Sequence, residues 1–163
     1  MFAPQKIHVL DLCRELATTI RLSEIDKMSW MDFLTERKKI DAIFGDVEPH
    51  LNSVELHEVS LNRDGPKVIL RFDFSEFPIF PPKKWGLAGF NRVQIQLIAL
   101  GIDDLNIQGW GTACTCSISI FAAERGGVSL IVDESDFKIR LKASFLVVGS
   151  LSAYSSLPEQ ASR

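Results

Sequence analysis

The chain has 163 residues, of which 46% are apolar and 24% charged, with a net charge of −3. That length can bury one domain's hydrophobic core, and the composition is that of an ordinary globular protein. Slight acidity without a basic face excludes phosphate neutralisation as a dominant binding mode, so nucleic acid is not an expected partner.

The opening stretch "MFAPQKIHVLDLCRELATTIRL" places Ile7, Leu10, Leu16 and Ile20 on one face of a predicted helix. Asp11, Arg14 and Glu15 interrupt its apolar pattern, so neither a secretory signal nor a membrane anchor is expected. Three cysteines are too few and too odd for a disulfide framework, which suits a reducing, cytoplasmic location. A second helical stretch starts near Ser29, whose hydroxyl can cap it with Asp32 three positions on. Trp30, Phe33, Leu34, Ile40 and Phe44 supply its apolar stripe, Trp30 and Phe44 as core, and Gly45 is placed to end it in the left-handed conformation. The intervening "TERKKID" is its exposed face or a kink between two short helices.

From Ser53 onward the period changes to two. "SVELHEVSL" breaks phase, with Val54 and Leu56 on one face and Val59 and Leu61 on the other, and predicts a bulge near His57. "KVILRFDF" sets Val68, Leu70, Phe72 and Phe74 against Lys67, Arg71 and Asp73. "RVQIQLIAL" and "FKIRLKASFLVV" alternate likewise, the latter with Phe137, Ile139, Leu141, Ala143, Phe145 and Val147 in phase. "NRDGP" and "ERGG" mark tight turns, and "LGIDDL" predicts another short connection. The expected fold is α+β: N-terminal helices packed on a curved, mostly antiparallel meander sheet of about seven strands.

Between two predicted strands lies "SEFPIFPPKKWGLAGFN", residues 75–91, too irregular for helix or sheet. Pro78, Pro81 and Pro82 stiffen it and remove ladder donors, so it reads as a crossing around a sheet edge. Phe77, Phe80 and Trp85 would anchor it, with Lys83 and Lys84 solvated.

No pattern specifies an active site. His8, His50 and His57 are scattered, and Cys114 and Cys116 lack the second pair a metal site needs, so no metal or other cofactor is expected. No Ser or Cys sits in a sharp strand-to-helix turn, no glycine loop cradles phosphate, and Asp103–Asp104 and Asp133–Glu134 read as solvated turn residues. No catalytic residue is assigned, and the chain is not expected to be an enzyme. Trp110 either emerges on the polar strand face or is covered by a helix or the connector. If exposed, it joins Arg71, Asp73, Gln94, Gln96, Asn106 and Gln108 in an interface-like patch, with Lys83 and Lys84 at its rim.

The ordered set "IFGDVEPHLNSVELHEVSLNRDGPKVILRFDF", "PPKKW", "GFNRVQIQL", "LNIQGW" and terminal "SAY" resembles the immunity protein 50 family of bacterial polymorphic toxin systems. The likeness covers residues 29–154, leaving 1–28 as a helical extension packed on the domain and 155–163 as a flexible tail. It implies a non-enzymatic cytoplasmic protector whose partner is the C-terminal domain of a cognate toxin. Phe44, Gly45, Gly65, Pro66, Pro81, Pro82, Trp85, Asn91 and Gly109 match the family motifs and carry over as scaffold positions. The patch around Trp110 then becomes the candidate toxin-binding surface. The alternative is a small-ligand binding module with a pocket between helices and sheet. Oligomeric state, toxin identity and toxin chemistry have no sequence signature.

Overall fold

The computed structural model describes residues 28–157, so the predicted helix over Ile7–Ile20, and with it His8 and Cys13, lies outside the described residues. In chain order the elements are a single 3-10 turn (Trp30–Phe33), α1 (Lys38–Phe44), β1 (Val54–Asn62), β2 (Lys67–Asp73), α2 (Lys83–Leu87), β3 (Arg92–Gln108), β4 (Thr115–Ala122), β5 (Val128–Asp133) and β6 (Lys138–Tyr154). The strands close into an antiparallel barrel in the order β1-β2-β3-β6-β5-β4. This corrects the expected α+β sheet of helices on seven meandering strands: the described residues form six strands, β6 lies between β3 and β5, and β1 meets β4. Among the described residues no helix is long and apolar enough to cross a membrane.

The missing strand has a local cause. "LGIDDL" is not a connection, because β3 runs through it and pairs with β6 on both sides, with a register shift between Ile102 and Asp104. Gly101 takes φ +65°, and a Cβ there would meet Ser144 Oγ at 2.6 Å. Only glycine lets β3 bend so tightly onto β6. The inward phase of β6 slips at the same bend, so Ala143, Leu146 and Val148 are buried while Phe145 is 60% exposed. The strict alternation expected through Phe145 and Val147 therefore stops at Ala143.

The predicted inward residues of β2 and β3, Val68, Leu70, Phe72, Phe74, Val93, Ile95 and Leu97, are all buried. They meet Leu130, Val132, Ile139 and Leu141 from β5 and β6 and fill the barrel interior. Burying each large side chain contributes roughly 1.5–3 kcal/mol. The expected helix from Ser29 to Gly45 divides into the 3-10 turn and α1, because Leu34 leaves helical geometry to bridge Leu146. Ser29 and Asp32 do form a reciprocal cap, and α1 ends at Gly45 with φ 63° but ψ −131°, outside the left-handed helical region. Trp30 and Phe44 pack on Phe74 at ring-centroid distances of 6.4 and 5.3 Å, closing one end of the barrel.

The segment after β2 joins hydrogen-bonded neighbours, β2 and β3, so it is a long hairpin connection and not a crossing. It also contains a helix, α2, that starts after Pro82. Trp85 packs against Phe77 at 6.4 Å, but Phe80, expected as an anchor, is 89% exposed.

Candidate functional site

The β1 bulge organises the outer barrel face. Leu56 pairs with Phe72 and Glu58 with Arg71, leaving His57 as the extra residue. Leu56 and Val59 can then both pack on the core while Glu58 stays outside. His57 Nε2 lies 3.1 Å from Asp73 Oδ2. Asp73 was expected on the exposed polar face, yet it is fully buried. Gln94 Nε2 donates to its Oδ1 at 3.0 Å, and the Tyr154 hydroxyl donates to Oδ2. Four strands thus converge on one carboxylate. That hydrogen bond, with burial adding, pushes the Tyr154 hydroxyl up to about 12. At neutral pH Tyr154 is a proton donor and not a nucleophile.

Glu55 stands beside this cluster, and one donor atom each from Glu55, His57 and Asp73 lie within 4.8 Å of one another. Such a nitrogen and oxygen set is of the type that holds a divalent cation. The surroundings oppose it, because Arg92 Nη1 is 3.2 Å from Glu55 Oε1 and Tyr154 and Gln94 already occupy Asp73. A cation would face a guanidinium and displace two donors. The cluster fits a hydrogen-bonded clamp joining β1, β2, β3 and β6.

A second feature adjoins the bulge. A groove of about 440 Å³ lies between Leu56–Val59 of β1 and the Trp110–Cys114 loop, floored by Cys116, Glu134 and Phe137. Gly109 aims this loop: it takes φ +75°, and a Cβ would sit 1.8 Å from the Asp136 carbonyl oxygen. The end of β3 can press onto the β5–β6 turn only without a side chain there. Trp110 consequently emerges 73% exposed and meets Phe137 edge-on, at 5.3 Å and 90°. Cys114 precedes β4 and is exposed, whereas Cys116 is buried and its thiol is pushed up to about 11, chiefly by burial.

The immunity protein 50 family model matches residues 36–154. The chain belongs to the immunity protein 50 family. Neither the curated proteins nor the solved structures gave a match.

The positions expected as family scaffold take part in turns and packing contacts in this immunity protein 50 member. Phe44 is core, and the Pro66 carbonyl accepts from Ile102 N–H at 3.1 Å after the turn that holds Gly65. Pro81 and Pro82 lead into α2 and Trp85. Asn91 Nδ2 donates to the Ser156 carbonyl at 3.1 Å, while its Oδ1 accepts from Ser156 N–H at 2.8 Å, which clasps β3 to the chain after β6.

The candidate contact residues fall into separate groups. Arg71, Asp73, Gln94 and Gln96 are neighbours across β2 and β3, with Arg71 Nε donating to Glu58 Oε2 at 2.9 Å and Nη1 to Gln94 Oε1 at 3.4 Å. Asn106 and Gln108 lie beyond the Gly101 bend, opposite Arg140 and Lys138. Trp110 joins the first group through the groove, because Glu58 both lines it and holds Arg71. Lys83 and Lys84 are exposed on α2 and line neither this groove nor the adjacent one at Gln108. Sequence reasoning missed Glu58, Glu134 and Phe137 as groove residues, and Tyr154 as a clamp residue. Tyr154 had one signal: it is the chain's single tyrosine and closes the "SAY" motif at the end of β6.

Proposed function

We propose that this protein is a cytoplasmic immunity protein that binds the C-terminal domain of a cognate bacterial toxin and neutralises it by covering its active surface. The reading starts from membership of the immunity protein 50 family. Its physical support is Trp110, a large aromatic side chain left 73% exposed yet seated edge-on against Phe137. A preformed aromatic anchor on a strand framework binds with little loss of side-chain freedom and suits the centre of a protein interface. Neutralisation by occlusion needs no catalytic group.

The test is co-expression with the toxin-like domain encoded alongside it. Wild-type protein is expected to restore growth and to co-purify with that domain. Trp110→Ala is expected to keep a melting temperature within about 2 °C of wild type, since its ring is mostly solvated, and to bind at least tenfold more weakly. Full rescue and unchanged affinity for a well-folded Trp110→Ala variant would remove the anchor from the interface. Absence of rescue by soluble wild-type protein would overturn the pairing.

A further inference from the structure

β1 is paired on both sides for only part of its length. It runs antiparallel to β2 from Glu55 to Asn62, but pairs with β4 only at Val54–Cys116 and Glu55–Thr115. One further bond follows, from Leu56 N–H to the Cys114 carbonyl at 2.7 Å. There the opposing chain becomes the Trp110–Cys114 loop and stands away from β1, which opens the groove. Among the described residues, the outer edge of Glu58–Asn62 has no backbone partner. Five residues of open edge span roughly 16 Å, enough to pair with a short extended segment.

The groove beside this edge is lined by carboxylates, of which Glu58 is paired with Arg71 at 2.9 Å. Among the described residues, Glu58 and Glu134 are the carboxylates lining the groove, and no Arg or Lys lines it. Both are held below the usual carboxylate range, Glu58 by the Ser60 hydroxyl and then Arg71, Glu134 by the Ser135 hydroxyl and then Asp136 N–H. The adjoining shallow groove adds Asp133 and Asp136, and its one cation, Lys138, is 3.2 Å from Asp133. Trp110 presents a largely exposed ring beside these carboxylates, held by its edge-on contact with Phe137. An aromatic face flanked by carboxylates is complementary to a guanidinium or ammonium group.

We propose that this groove receives an extended, basic segment of the partner protein, which pairs with β1 beyond the bulge and lays an Arg or Lys side chain over Trp110 between Glu58 and Glu134. That the partner is the toxin rests on the function proposed above. A second copy of this chain is a poor occupant. The β1 strand of a copy carries Glu55 and Glu58 and no Arg or Lys, so it would bring no cation to Trp110 and would add negative charge beside Glu58 and Glu134.

Hydrogen exchange on the full chain, alone and with the co-expressed toxin domain, tests the edge pairing. Unpaired amides within Glu58–Asn62 should exchange fast in the free protein and slow at least tenfold in the complex. The charge is tested by Glu58→Gln combined with Glu134→Gln, expected to weaken toxin binding at least tenfold at low salt, with the deficit shrinking as salt rises. A complex that protects other surfaces and leaves Glu58–Asn62 unchanged overturns the groove assignment while the immunity reading stands. Protection already present throughout Glu58–Asn62 in the free protein means that its own chain or a second copy covers the edge, and also overturns it. If no toxin complex forms, the immunity reading fails, and the groove is tested with synthetic decapeptides alternating Arg with Val or Glu with Val. Binding of the Arg peptide that is lost in Trp110→Ala supports the groove's chemistry, whereas equal or absent binding of the two peptides refutes it.

Discussion

Tyr154→Phe removes a single hydroxyl from the end of β6 and isolates the clamp on Asp73. The carboxylate is fully buried, and its Oδ2 would keep only the His57 contact at 3.1 Å while Oδ1 keeps Gln94. A hydrogen bond to a charged group contributes about 1.5–3 kcal/mol, and the surviving partners favour the lower half of that range, about 2 kcal/mol. For a chain of 163 residues this corresponds to a fall in melting temperature of about 4–8 °C at pH 7. The hydroxyl must keep its proton to donate, and its pKa rises from the ordinary tyrosine value of 10.0 to about 12 on folding. Its contribution is therefore complete below pH 10 and is lost as pH rises toward 12. Thermal and urea denaturation of both proteins at pH 7, 10 and 11.5 would show the gap closing with pH. In an Asp73→Asn background the same Tyr154→Phe change should cost less than half as much. A Phe variant within 1 °C of wild type at pH 7, or a gap unchanged at pH 11.5, would refute the clamp.

Gly109→Ala would drive a Cβ into the Asp136 carbonyl at a positive φ. It should cost about 2–4 kcal/mol and, by moving Trp110, change acrylamide quenching of tryptophan fluorescence; wild-type stability and quenching would show that the corner yields. Addition of equimolar zinc should shift the melting temperature by less than about 1 °C, because Arg92 and Tyr154 already engage the Glu55–His57–Asp73 set. Stabilisation by several degrees that disappears in His57→Ala would instead establish a metal site.

Local patterns in the sequence were legible and distant ones were not. The inward residues of β2 and the first half of β3 follow from period-two alternation, and the His57 bulge follows from a break in that phase. The hairpins at "NRDGP" and "ERGG" follow from turn chemistry. The pairing of β3 with β6 and of β1 with β4 joins segments far apart in the chain, and no turn residue encodes it. "LGIDDL" has a turn's composition, and only the approach of Ser144 to Gly101 makes it a bend within a long strand. Asp73 occupies the outward phase, so its burial depends on groups brought by β1, β3 and β6. Trp110 could be placed on either side until Gly109 and Asp136 were seen to touch.

The extra residue in β1 links the clamp to the groove. Were β1 regular, with His57 paired in sequence, every position from Glu58 to Asn62 would turn to the other face, putting Glu58 and Ser60 inward and Val59 and Leu61 outward. The bulge therefore keeps Glu58 beside Arg71 at the groove's lip while its own imidazole covers Asp73. It also stands where the pairing of β1 with β4 stops, one residue past the last bond at Leu56. A regular strand could continue that pairing and bury its edge; a bulged strand bends and ends it. The Asp73 clamp supplies the rigidity that an open edge otherwise lacks, because it ties β1 to β2, β3 and β6 immediately beside the opening. An open edge on a clamped framework can bind a partner strand without first paying the entropy of ordering itself.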